Sequence, residues 1–206
     1  MNKYRNRLHL ILISFLIIAS SGCGPQTKQY KVHIKINSNG KVSYEFIFFD
    51  IGCKISENSA EEFESLKNEY IEGTGFEDWL KKECSNIELK MKKFWIDDAS
   101  LNAIFLFEIP DLESFLNSAN KIGFVKLDEN GNFYFSVNLK DSEIKETNGR
   151  VNKISTKLSS ISWPSESKEM YYCVSDKGDY QIKSFSELFF LKYGPSKTIL
   201  HHTCPK

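Results

Sequence analysis

Apolar and polar positions alternate over residues 30–37. Val32, Ile34 and Ile36 fall on one face, and Lys31, His33 and Lys35 on the other. A period of two marks a half-buried strand. Ser38-Asn39-Gly40 follows as a turn built on an Asn-Gly pair. Residues 41–50 return with Val42, Tyr44, Phe46 and Phe48 on one face, so a β-hairpin is expected here. The period then changes. Ser59-x-x-Glu62 has the form of a capping box, Phe63, Leu66, Tyr70 and Ile71 share a helical face behind it, and Gly73 stops the helix. Thr74-x-x-Glu77 reads as a second capping box. It opens a short helix that groups Phe76, Trp79 and Leu80 and ends at Cys84.

Strand periodicity resumes over residues 86–95, where Ile87, Leu89 and Met91 alternate with Glu88, Lys90 and Lys92. Asp97-Asp98-Ala99-Ser100 turns the chain into residues 101–109, a strand with Ala103, Phe105, Phe107 and Ile109 on one face. Pro110 ends it, and Asp111 caps a helix with Leu112, Phe115, Leu116 and Ala119 in register. Residues 122–127 read as a strand and Asp128-Glu129-Asn130-Gly131 as a turn. Residues 132–139 form the clearest strand, with Phe133, Phe135, Val137 and Leu139 opposed to Tyr134, Ser136 and Asn138. Residues 140–168, rich in Ser, Lys, Glu and Asn, read as a loop region. Within it Val151, Ile154, Leu158 and Ile161 have helical spacing, while Ile154, Thr156 and Leu158 also fit a strand. Residues 170–175 and 180–184 are expected to form a last hairpin around Asp176-Lys177-Gly178-Asp179. Ser184-x-x-Glu187 then caps a short helix with Leu188, Phe189 and Leu191, ended by Gly194-Pro195. Short connections between successive strands imply antiparallel pairing. The expected architecture is α+β: one twisted antiparallel sheet of about eight strands with three or four helices packed on one face, forming a single domain over residues 30–206.

Residues 1–22 have a different character. Lys3, Arg5 and Arg7 precede an apolar run, residues 8–19, interrupted only by His9 and Ser14. Small residues follow up to Cys23. This is the layout of an export signal, and the run is well short of the roughly 20 residues a membrane-spanning helix needs. The stretch ASSGC ending at Cys23 resembles the lipobox of bacterial lipoprotein signal peptides, with Ser20 where Leu is usual. The resemblance implies lipid attached to the Cys23 sulfur, cleavage that leaves Cys23 as the N-terminus, and a lipidated tether over residues 23–29. Acyl chains then hold the body to a membrane, at about 0.8 kcal/mol per buried methylene. The alternative is an ordinary signal peptide with Cys23 in a disulfide. Gly24 stands where an Asp would resemble an inner-membrane retention signal, which favours the periplasmic side of the outer membrane.

Beyond the lipobox, the stretches VHIKINSNGKVSYEF, FEIPDLESFLNSAN and FYFSVNL resemble the LppM-type domain of bacterial lipoproteins. That resemblance implies a non-enzymatic role in the cell envelope and transfers no catalytic residue. Members commonly carry a C-terminal membrane helix, and this sequence shows none.

Composition narrows the partners. Lys plus Arg and Asp plus Glu number 27 each. Without residues 1–22 the balance is 24 basic to 27 acidic, a formal charge of −3. A strongly basic nucleic-acid binder is excluded, and no charge pulls the body toward anionic lipid. Lys90, Lys92, Lys93, Phe94 and Trp95 mix cations with aromatics, but they fit a strand with Lys on its outer face better than a nucleic-acid surface. The four remaining cysteines, Cys53, Cys84, Cys173 and Cys204, suggest two disulfides in an oxidising compartment, with free buried thiols as the alternative. Of the three possible pairings, spacing favours Cys53–Cys84 and Cys173–Cys204, each worth about 3–4 kcal/mol.

No nucleophile–base set, Gly-rich phosphate loop or zinc-ligand spacing is present, so no catalytic residue, cofactor or metal is expected. His33 lies on the polar face of its strand, and His201 and His202 sit near Cys204 in a polar tail. Asp97-Asp98 reads as a turn and not as a carboxylate pair. Strand positions from Tyr44 to Phe49, and Ile104 and Leu106 beside Phe105 and Phe107, are apolar on both faces. Either both faces are buried or one is a partner surface. The expected role is a lipid-anchored, non-catalytic envelope protein that binds a protein partner or an apolar ligand in the periplasm. The alternative is an immunity or inhibitor lipoprotein that blocks a toxin or a cell-wall hydrolase.

Overall fold

The computed structural model of the chain describes residues 26–54, 59–84, 86–122, 125–177 and 182–200. The first hairpin joins β1 (Gln26–Ile36) to β2 (Val42–Lys54) through a turn that places Gly40 at φ +83°, where glycine alone is unstrained. Val32 pairs with Phe46 and Ile34 with Tyr44, so the apolar faces of the two strands coincide. β3 (Glu88–Asp97) and β4 (Ser100–Ile109) form a second hairpin. The remaining strands are β5 (Lys126–Leu127), β6 (Phe133–Asn138), β7 (Ser142–Thr147), β8 (Arg150–Lys153), β9 (Leu158–Trp163), β10 (Glu169–Asp176), β11 (Ile182–Ser184) and β12 (Ser196–Leu200). The α-helices among the described residues are α1 (Ser59–Leu66), which runs into a π-helical turn at Lys67–Ile71, α2 (Gly75–Glu83), α3 (Leu112–Ile122) and α4 (Ser186–Tyr193).

Eight strands make one antiparallel sheet in the order β12-β3-β4-β2-β1-β10-β7, with β11 pairing to the end of β2. The expected α+β architecture is therefore present. A second sheet, β5-β6-β9-β8, adds to it. Its strands β8 and β9, together with β7, lie in residues 140–168, the stretch expected to be a loop region. In β9 the inward positions are Ser159, Ile161 and Trp163, all under 5% exposed. A serine in the first of these places hides the period of two from a hydropathy reading.

The expected last hairpin also does not form. β10 instead pairs with β1, Tyr172 opposite Val32 and Met170 opposite Ile34, while β11 goes to β2. The long free edge of β1 matches the apolar face of β10. A third correction concerns the tether: residues 26–29 belong to β1, because β2 continues far enough to pair Gln26 with Gly52. Backbone pairing needs no apolar side chain, so a polar stretch can still be strand.

Both the helices and the small sheet cover the same face of the large sheet. Phe76 of α2 sits 5.3 Å from Phe46, 4.7 Å from Phe105 and 5.7 Å from Phe107, ring centre to ring centre. On the other flank Phe135 stacks on Tyr172 at 4.2 Å. Phe115 of α3 joins the two halves, 5.7 Å from Tyr44 and 5.9 Å from Phe133. Such pairs add about 0.5–1.5 kcal/mol each beyond the area they bury.

Strand β3 breaks its own alternation. A bulge between Leu89 and Met91 shifts the register against β4. Lys92 then lies opposite Phe105 on the core side, where only 2% of it is exposed, and not on the outer face with Lys93. Its ammonium donates to Gly73 O at 2.6 Å, to Glu77 Oε1 at 3.2 Å and to Tyr70 O at 3.3 Å. The cation thus fills the gap between the end of the first helix, whose terminal carbonyls favour it, and the Glu77 carboxylate in the first turn of the second. The second capping box consequently does not form. Thr74 Oγ1 donates to Asp78 Oδ2 at 2.7 Å, and Glu77 faces Lys92. Gly73 is required at this crossing, since a Cβ there would stand 2.2 Å from Asn68 O.

Candidate functional site

The second face of the large sheet carries no helix or strand layer among the described residues. Cross-strand register assembles its surface in rows. One row runs Lys31, Ile47, Ile104, Lys93; the next runs His33, Glu45, Leu106, Met91. Toward the start of β1, Phe49 faces Gln29 and Trp95 faces Asn102. Ile47, Phe49, Trp95, Ile104 and Leu106 are all half-buried. The two-sided apolar strands thus resolve into one core face and one open face with an apolar centre.

Charges frame that centre. His33 Nδ1 lies 3.1 Å from Glu45 Oε2, and its Nε2 lies 2.8 Å from Glu169 Oε1. Lys31 Nζ is 3.3 Å from Glu146 Oε2 and stands 4.6 Å over the Tyr171 ring. Lys41 Nζ meets Glu108 Oε1 at 2.7 Å, and the hydrogen bond and charge of Glu108 raise the pKa of the Lys41 ammonium. Lys93 lies 5.8 Å from the Trp95 ring centre. Exposed ion pairs of this kind add little to stability. They do order the side chains, so the face presents an apolar centre with a charged rim, the anatomy of a protein–protein contact.

The other residues singled out by the sequence fall elsewhere. Cys23, the expected lipid attachment point, lies outside the described residues, as do Cys204, His201 and His202. Cys53, Cys84 and Cys173 are buried, and no disulfide joins any two of them. The expected Cys53–Cys84 bridge is not formed, and the geometry explains why. Cys53 pairs across to β11, with its Sγ 3.9 Å from Lys183 O. Cys84 lies just before β3, whose first residues pair through Glu108 and Phe107 of β4 with Ser43 and Tyr44, nine or ten positions back along β2 from Cys53, roughly 30 Å of strand at about 3.3 Å per residue. A disulfide needs Cα atoms within about 7 Å. Cys173 accepts a hydrogen bond from Gln29 Nε2 at 2.9 Å, and burial raises its pKa, so the thiol is held protonated.

His33 does sit on the open face, as its strand position implies, but clamped between two carboxylates. The signal for this was the hairpin register, which places Glu45 opposite it. Asp97 ends β3 and Asp98 opens the turn to β4, with Asp98 at φ +45° and Ala99 at φ +61°. No group of three or more His, Cys, Asp or Glu able to hold a metal occurs among the described residues. Among them, too, no helix is long and apolar enough to cross a membrane. No protein-family model, curated protein or solved structure matches the chain.

Proposed function

We propose that this chain is a lipid-anchored lipoprotein of the bacterial cell envelope, attached through Cys23, that works without catalysis by holding a protein partner against the open face of its large sheet. The observation that carries this reading is the apolar strip of Ile47, Phe49, Ile104, Leu106 and Trp95 inside a rim of fixed charges. The ASSGC stretch supports the address. Gly24 supports the periplasmic side of the outer membrane. A protein partner is favoured over an enclosed lipid because the cavity on the covered face, lined by Gln26, Phe48, Tyr70 and Phe105 among others, has about 20 Å³, room for one water, and the larger depression beside α4, about 410 Å³, lies open to solvent. Ligand sites of the usual kind need about 300 Å³ or more.

The test is crosslinking and recovery from intact cells, comparing the wild-type chain with Ile104→Glu. The new carboxylate would face Lys93 and stay solvated, so the fold tolerates it while the apolar centre is lost. The expected result is a partner whose recovery falls at least about tenfold in the variant, with palmitate labelling unchanged. Equal recovery from both chains, or hydrolytic activity in the purified protein, overturns the binding reading. Palmitate that fails to enter, or enters equally after Cys23→Ser, overturns the address. A toxin or cell-wall hydrolase as the partner would turn the role into inhibition.

A further inference from the structure

Helix α4 hides one side and leaves the other bare. Phe185, just before it, lies 5.7 Å from Phe63, and Phe189 lies 6.2 Å from Phe94, both buried. Phe190 is 57% exposed and Leu191 82%. A lone exposed leucine is ordinary. Here two large apolar side chains are adjacent on one short helix and line a shallow depression with Ile96, Ser186 and Glu187.

Their position in the fold gives them meaning. The helix begins where Phe185 N donates to Ile51 O and ends where Ile96 N donates to Pro195 O. It therefore crosses the large sheet at the end where β4 starts and β3 finishes. That is also the end where β1 starts, since Gln26 pairs with Gly52, one position beyond Ile51. Gln26 lies four strands across from β12, roughly 20 Å at about 4.8 Å per strand. Cys23 is three residues before Gln26, within about 10 Å by chain reach. Acyl chains on Cys23 would bring a bilayer within that reach of this end of the sheet.

We infer that Phe190 and Leu191 insert into the interface of the bilayer that anchors Cys23, so that the domain stands on the membrane at two points and in one orientation. This rests on the lipoprotein reading. The lipid supplies one contact, which fixes position, and the helix supplies a second, which fixes tilt and rotation. The strands then rise from the membrane and the open sheet face looks sideways, clear of the lipid. Apolar insertion beside an acyl anchor is the two-signal arrangement that makes attachment lasting.

The test uses the full lipidated chain carrying the photocrosslinker p-benzoylphenylalanine at position 191, reconstituted in phosphatidylethanolamine–phosphatidylglycerol vesicles. The control position is Ser38, in the β1–β2 turn at the far end of the sheet, roughly 35 Å away along β1 at about 3.3 Å per residue. Crosslinking to phospholipid is expected to be on the order of tenfold greater at 191 than at 38. Equal yields at both positions, or crosslinks from 191 to protein, whether a second copy or another chain, overturn the inference. Palmitate labelling of the same preparations separates the two claims. Labelled protein without lipid crosslinks at 191 sinks the insertion and leaves the anchor standing. Unlabelled protein that still crosslinks to lipid at 191 sinks the anchor and, with it, the two-point stance.

Discussion

Replacing Lys92 by Met tests how the helical layer is held to the sheet. In the native chain each ammonium proton has an acceptor: Glu77 Oε1, Tyr70 O and Gly73 O. Lys92 and Glu77 are each 2% exposed, so water cannot replace what is removed. Loss of the cation leaves a buried carboxylate alone, which costs about 3–5 kcal/mol unless the carboxyl takes up a proton. It also removes a donor from two carbonyls, at about 1–3 kcal/mol each, offset in part by the apolar Met chain. The expected net loss for Lys92→Met is about 4–6 kcal/mol, a large share of the stability of an ordinary domain. Glu77→Gln is expected to cost less, about 2 kcal/mol, because Lys92 keeps both carbonyls and an amide oxygen. The double variant Lys92→Met/Glu77→Leu is expected to be more stable than Lys92→Met alone, since it removes the stranded charge along with its partner. Urea unfolding of the purified chain followed by tryptophan fluorescence reads this directly, with Trp79 stacked 5.7 Å from Phe76 as the local reporter. The reasoning fails if Lys92→Met costs under about 1 kcal/mol, or if the double variant is the less stable of the two.

Ala99 sits at φ +61° in the β3–β4 turn, so Ala99→Gly is expected to raise stability by about 1 kcal/mol, seen as a later urea midpoint; a lower midpoint would contradict the strain. Asp128 accepts the amides of Asn130 and Asn132, both at 2.8 Å, and the Asn132 amide bond chiefly lowers its pKa. Its folded pKa is below the unfolded value of about 3.9, so its contribution is complete above that value and disappears as pH falls through the folded one. Unfolding of wild type against Asp128→Asn between about pH 5 and pH 2 is expected to show the wild-type advantage shrinking only in the acidic part of that range.

Much of the fold was written in local pattern. The β1–β2 hairpin, the β3–β4 pair, the α1 and α2 helices and the strand at Phe133 each follow from a period of two or of 3.6 with a turn or cap at the end. The open face was legible in part, since the second apolar set, Ile47 and Phe49 with Ile104 and Leu106, stands in the sequence. Which of the two apolar faces is covered could not be read there, because that depends on where the helices and the small sheet pack.

Three features needed tertiary structure. The bulge beside Lys90 turns Lys92 inward, and a one-residue slip moves every later side chain to the other face, so alternation alone assigns Lys92 wrongly. Glu77 matches a capping box locally, yet a buried cation from another strand outcompetes a cap. Cys53 and Cys84 look well spaced along the chain, but an extended β2 separates them by several times the length of a disulfide. Local sequence sets the period of each element, whereas pairing partners, registers and the contacts of buried charges depend on residues far apart in the chain.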